Sequence, residues 1–448
     1  MSINSMLPRS GSGRGRGYLG SRELATSLCG LIGVFSCLLI LGACSPGESE
    51  RPGAPFSNAN LTPEVISALD AARAALGEGD YRRALATMDS LNRIDPEIPD
   101  AWYLRGLILS EVNDADSAQA AFLRAVELDP DFRGAYFQVG QVEFKLGRYA
   151  RAIQYYMDEL QLIEQSSRRA KRFYRERDRA AVPALYMYTG RAYQKMARTD
   201  SARVAFERSI GLDSLNATVH TWLAELYADT GEFAKALQAS QRAVWLDPRS
   251  PEHRALYGSL LVREKRFAEA LPYLESAIHE RPADVHTLYN YNLALTNLGR
   301  QAEADQVLER WRVARDLDQA TTDAEESVLD NPDDAAIWIT LADHYLAAGR
   351  YGDALRSLNV ANYLVPEDLR VRSDIANLHL VMGDTLSAAR RFEAIVRQDS
   401  TFADAWLNLG VVYALQGDYP QAREAWLNVL KYNPSDTLVQ TYLARLDE

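Results

Sequence analysis

Apolar residues recur along the chain at helical spacing, and the helical segments themselves recur at a longer one. In ADAWLNLGVVYALQGDYPQAREAWLNVLKYNP (residues 403–434), Trp406, Leu409 and Tyr413 fall at i, i+3 and i+7, one face of a helix. Gly410 is small enough to let a partner helix approach closely, and Gly417 stands where a closing turn needs positive φ. Ala422 marks the close contact of a second helix, and Pro434 prevents that helix from continuing. The same register returns upstream in steps of 34, two of them lengthened. It runs through Trp102, Gly106, Ala118, Phe122 and Pro130, again through Gly140, Gly147, Tyr149, Ala152 and Tyr156, and through Trp338, Gly349, Tyr351, Ala354 and Pro366. Each helix pair leaves an apolar face that only the next pair can cover. The pattern therefore predicts an all-α stack of helix-turn-helix units rather than one closed core.

Spaced in this way, these residues closely resemble the tetratricopeptide repeat (TPR) family. The resemblance implies a superhelical solenoid of ten repeats over residues 63–434, starting at Val65, Pro99, Arg133, Pro183, Ala217, Pro251, Val285, Ala335, Leu369 and Ala403. The first lacks the Trp and Gly of its first helix, as a capping repeat would. Residues 435–448, SDTLVQTYLARLDE, place Leu438, Tyr442 and Leu446 on one face and are expected to form a terminal capping helix.

Two steps of 50 break the 34-residue rule and leave two insertions, residues 167–182 and 319–334. The first, SRRAKRFYRERDRAAV, carries seven basic and two acidic residues, among them Arg172, Arg175 and Arg179. The helical pattern upstream has no breaker, so the second helix of repeat three is expected to run on into it. The second insertion is acidic and ends in a turn signal at Asn331-Pro332.

The amino-terminal pattern is different. Arg9, Arg14, Arg16 and Arg22 precede an uncharged run from Leu24 to Ala43, the arrangement of an export signal. A run of that length could also stay as a membrane-spanning helix. Leu41-Gly42-Ala43-Cys44 resembles the lipobox of bacterial lipoproteins. That resemblance implies cleavage after residue 43 and lipidation of Cys44, followed by a Pro- and Gly-containing tether over residues 44–62. Either reading places the rest of the chain outside the cytoplasm, because the Arg cluster stays inside. Ser45, where enterobacterial inner-membrane lipoproteins carry Asp, points to the outer membrane facing the periplasm. Cys29 and Cys37 would leave with the signal, so the mature chain has no thiol pair to oxidise.

Without residues 1–43 the chain keeps 45 basic against 60 acidic side chains, about −15, a poor balance for nucleic acid. The densest polar cluster, His279, Glu280, Asp284 and His286, reads as an inter-repeat turn rather than a metal site. No nucleophile motif follows Cys44, and the repeats leave no room for a catalytic domain. No enzyme activity, metal or cofactor is expected.

What remains is a binding surface. The TPR resemblance implies that positions 2, 5, 9, 12 and 13 of each first helix line a concave groove. Repeats three and four then present Phe137, Gln141, Phe144 and Lys145, and Met187, Arg191, Gln194 and Lys195. Repeat five adds Glu225 and Asp229. Repeats eight to ten contribute an apolar stripe of Ile339, Leu346, Leu380, Leu407, Val411 and Leu415. Family members that clamp a terminal carboxylate want an Asn where Gln141 stands, so that clamp is not expected. A membrane-tethered scaffold that holds a protein or peptide, with an acidic segment suited to the mid-array basic zone, is the leading expectation. The alternative is a glycan- or lipid-handling envelope accessory using Tyr174, Tyr186 and Tyr188.

Overall fold

The computed structural model describes residues 61–167 and 172–446, with the side chains of residues 166–180 left aside. The expected export signal, Cys44 and nearly all of the tether lie outside the described residues, as do residues 168–171 of the basic insertion.

Twenty-one helices follow one another, with no strand among the described residues. Ten antiparallel pairs come first: α1 (Pro63–Gly77) with α2 (Tyr81–Ile94), α3 (Pro99–Glu111) with α4 (Ala115–Leu128), and α5 (Ala135–Lys145) with α6 (Tyr149–Ser167). Next are α7 (Arg172–Lys195) with α8 (Thr199–Leu212), α9 (Ala217–Asp229) with α10 (Phe233–Leu246), and α11 (Pro251–Arg263) with α12 (Phe267–Glu280). Then come α13 (Val285–Asn297) with α14 (Gln301–Asp330), α15 (Ala335–Ala347) with α16 (Tyr351–Leu364), and α17 (Leu369–Val381) with α18 (Thr385–Gln398). The last pair, α19 (Ala403–Leu415) with α20 (Tyr419–Tyr432), is followed by α21 (Thr437–Leu446).

Local chemistry sets these boundaries. Asp80, Asp114 and Asp418 cap α2, α4 and α20 by accepting a hydrogen bond from a backbone N–H of the first turn. Pro99 and Pro251 open α3 and α11, where the missing N–H costs nothing. The turn inside each pair needs a left-handed residue. Gly417 supplies it in the last repeat at φ 80°, but Ala197 (φ 56°) and Lys265 (φ 60°) must adopt it in repeats four and six.

The described residues divide into two compact units. One comprises residues 61–323 with 347–350, the other 324–346 with 351–446. Within the first, each core cluster bridges successive repeats: Met187, Ala202 and Phe206 of repeat four pack with Val219, Leu223 and Leu226 of repeat five. Within the second, Trp426 and Val429 of α20 pack with Leu407, and Val439 and Tyr442 of α21 close over them. Val439 is buried there, whereas Leu438 beside it is only half-buried.

From Arg172 on, the first insertion belongs to α7, so four of its seven basic residues lead into repeat four. Pro183, expected to start a helix, lies inside α7. Arg, Glu and Ala before it are good helix formers, and they carry the helix through a proline whose carbonyl accepts from Ser209 Oγ at 2.8 Å. The second insertion lengthens α14 to 30 residues and ends it at Asp330, before the Asn331-Pro332 turn. Among the described residues no helix is long and apolar enough to cross a membrane.

Candidate binding groove

In repeats three to five the first helices α5, α7 and α9 carry a ladder of rings. Phe137 lies 5.4 Å from Tyr188, and Tyr188 lies 5.9 Å from Trp222, ring centre to ring centre. All three rings are half-buried, and Tyr156 of α6 supports Phe137 from beneath at 5.8 Å. Arg191 sits one turn beyond Tyr188 and lays its guanidinium over Trp222 at 5.1 Å.

Polar rungs run beside the rings. Arg191 Nη1 donates to Glu225 at 2.5 Å and to Gln194 Oε1 at 2.8 Å. Gln194 Nε2 reaches Asp229 Oδ2 at 3.4 Å. The acidic residues of repeat five therefore partly neutralise the basic zone of repeat four. Arg191 is partly exposed at 22%, so this ion pair is screened and contributes modestly, about 1 kcal/mol or less. Lys145 and Lys195, at the ends of α5 and α7, are exposed. Gln141 is half-buried, and its Nε2 has no hydrogen-bond partner.

Some expected groove residues do not face outward. Met187 is only 1% exposed and belongs to the core shared by repeats four and five. Leu380 and Leu407 are likewise buried, so the expected apolar stripe is largely packing. The cause is stacking: the following repeat or helix covers Met187 and Leu407 at position 5 and Leu380 at position 12. Ile339, Leu346, Val411 and Leu415 remain half-buried. The side chains of Arg172, Arg175 and Arg179 lie outside the described residues, although their backbone belongs to α7.

Glu159 of α6 is a residue that the groove rule does not reach. It is 3% exposed, and its carboxylate accepts from the Gly134 N–H at 2.8 Å and the Phe137 N–H at 3.4 Å. It thereby caps α5, whose own N-cap Gly134 has no side chain to do so. Burial pushes its carboxyl up to about 7, against the pull of those N–H groups and of Arg133. The signal was in the repeat register: the equivalent residues Ala125, Ala243 and Ala277 are small and apolar.

The two acidic members of the histidine cluster have structural partners. Asp284 caps α13 by accepting from the Thr287 N–H at 2.8 Å, and Glu280 pairs with Arg254. His279 and His286 are exposed, and no group of three metal-ligating side chains occurs among the described residues.

Profiles described as tetratricopeptide repeat match residues 69–111, 109–167, 189–253 and 373–437, and a second such profile matches residues 312–378. The chain belongs to the tetratricopeptide repeat family. This TPR chain is 21% identical over 405 residues to BBSome complex member bbs-4 of Caenorhabditis elegans, spanning 88% of this chain and 82% of that protein. It is 24% identical over 407 residues to the human protein O-mannosyl-transferase TMTC3, but over only 42% of that protein's length. Among solved structures, MamA from Desulfovibrio magneticus covers 42% of the TPR chain at 17% identity with a TM-score of 0.35. TPR architecture is that of a protein-interaction scaffold.

Proposed function

We propose that the chain is a lipid-anchored TPR scaffold of the bacterial cell envelope that holds a protein or peptide partner in the groove of repeats three to five. The observation that carries this reading is the partly buried ring ladder Phe137–Tyr188–Trp222 with polar rungs beside it. Rings of this kind supply contact area at low entropic cost, and the rungs set register. Lys145 and Lys195 are the exposed cations that would meet an acidic partner segment, since Arg191 already pairs with Glu225. Arg172, Arg175 and Arg179 would add to that attraction. A glycan would be favoured by free tyrosine faces, but Arg208 lies over the Tyr186 ring at 4.7 Å.

Membrane attachment through Cys44 rests on the lipobox resemblance, with the tether after it giving the repeats reach from the outer membrane into the periplasm. The transferase activity named for TMTC3 is that protein's, of whose length this chain spans 42%. The decisive experiment is crosslinking from photoreactive residues placed at Lys145 and Lys195 in native membranes. A discrete protein adduct lost in Trp222→Ala supports the reading; a glycan adduct, or none, overturns it. Acyl labelling of wild type and Cys44→Ala tests the anchor: equal incorporation would sink it.

A further inference from the structure

The second unit carries a charged face that the mid-array groove leaves unused. Asp343 of α15, Asp374 of α17 and Asp404 of α19 come from the first helices of three successive repeats. Asp368 adjoins them as the N-cap of α17, accepting from the Arg370 N–H at 2.9 Å. Among the described residues, none of Asp343, Asp374 and Asp404 forms an ion pair with Lys or Arg. Asp374 is half-buried. Desolvation first, and then the charges of Asp343, Asp368 and Asp404, push its carboxyl up to about 7. Desolvation also raises Asp343: water reaches its side chain, but the surrounding protein displaces bulk solvent.

Acidic surface alone needs only water and salt. A second observation stands beside it. Asn377 and Asn408 are 4% and 3% exposed, and Asn408 Nδ2 donates to Asn377 Oδ1 at 2.7 Å. Asn377 follows Asp374 by three residues and Asn408 follows Asp404 by four, which puts each amide on the face of its aspartate. Among the described residues this bond is the only side-chain hydrogen bond of either residue, and Asn377 Nδ2 and Asn408 Oδ1 have no protein partner. Neither atom is sealed from solvent. Two almost wholly buried amides thus keep one donor group and one acceptor for something outside the fold. Water can reach both atoms in the free chain, and an extended backbone offers the complements that would replace it, C=O and N–H.

We propose that Asp343, Asp374 and Asp404, with the Asn377–Asn408 pair, form a second docking face whose occupant is a basic peptide segment. A Lys or Arg side chain enters among the aspartates while its backbone meets the free amide atoms. The like charges held together here oppose folding, and a bound cation relieves them. Sites kept for binding commonly carry such a local cost. The proposal rests on the chain being an interaction scaffold, but it uses the other unit and the opposite charge. Its failure would therefore leave the ring-ladder groove untouched.

The test is fluorescence anisotropy of the full chain with a labelled octapeptide alternating Lys and Ser, and with the same peptide carrying Glu for Lys. Because the whole chain is acidic, any cation is attracted weakly, and a matched control is needed. Asp374→Asn/Asp404→Asn should weaken Lys-peptide binding about tenfold or more and flatten its salt dependence. Asp318→Asn/Glu326→Gln, an equal charge change on exposed positions, should leave it within about twofold. Asn377→Ala should weaken binding while keeping the salt dependence. The cluster variant loses repulsion, so its melting temperature should not fall, and misfolding cannot mimic the loss. Equal weakening by both double variants, or binding of the Lys peptide no tighter than the Glu peptide, overturns the proposal.

Discussion

Gly410 and Trp426 fit each other in a way that neither could with a different partner. A Cβ on Gly410 would come within 2.3 Å of Trp426 Nε1, and that same nitrogen donates to the Leu407 carbonyl at 3.1 Å. The pairing repeats as Gly106 with Phe122, Gly140 with Tyr156 and Gly190 with Phe206, each with a Cβ approach of 2.6 Å or less. A bare first-helix position is matched to a large ring on the second helix. Gly410→Ala should therefore destabilise by about 1–3 kcal/mol despite its gain in helix propensity, through overpacking. Adding Trp426→Leu should make the alanine far less costly. Denaturation of the two singles and the double checks this; additive losses would refute the fit.

Ala197 and Lys265 hold left-handed backbone that glycine holds in most other repeats. Both are exposed, so no packing is lost on trimming them. Ala197→Gly and Lys265→Gly should each stabilise by about 1 kcal/mol, with strain relief exceeding the added unfolded-state entropy. Gly417→Ala should destabilise by a similar amount. Thermal melts of the three variants give the signs directly.

Two buried groups titrate in opposite senses. Glu159, raised from 4.5 to about 7, binds its proton more tightly folded than unfolded. Its contribution is complete below pH 4.5 and is lost as pH rises towards 7. Burial lowers His253 below its ordinary 6.5, favouring the neutral ring, so its contribution is complete above 6.5 and is lost as pH falls below that value. His253 Nδ1 lies 2.8 Å from Thr221 Oγ1, which also lies 3.3 Å from the Ala217 carbonyl. Glu159→Gln should remove a decline on the order of 1–3 kcal/mol between pH 4.5 and 7. Denaturation across that range, in parallel with wild type, measures the difference. Identical slopes would show that Glu159 does not titrate in this window.

Arg191 and Glu225 connect repeats four and five across the groove. In a double-mutant cycle, Arg191→Met and Glu225→Gln should show a stability coupling of about 1 kcal/mol or less that shrinks with salt. If the groove takes an acidic partner, Glu225→Gln alone should tighten binding, because it releases Arg191 for the ligand. Titration calorimetry with the crosslinked partner would show the direction.

The helix pairs and their boundaries were legible in the sequence, because caps, turn glycines and the 3.6-residue period act within one repeat. Gly410 announces a close helix crossing, and Gly417 a turn, without reference to any distant residue. The path of the basic run was less legible, since Pro183 and the helix formers before it compete locally. Tertiary structure decided which side of each first helix is left open. Met187 and Leu407 share a register position with Phe137, yet they are buried while Phe137 is only partly so, because the neighbouring repeat determines what covers them. Arg191 meets Glu225 at a distance of one repeat, Glu159 reaches back 25 residues to Gly134, and Asn377 meets Asn408 across two helices. Sequence periodicity assigns a residue to a face of its helix. Only stacking assigns that face to core, to a partner residue, or to the groove.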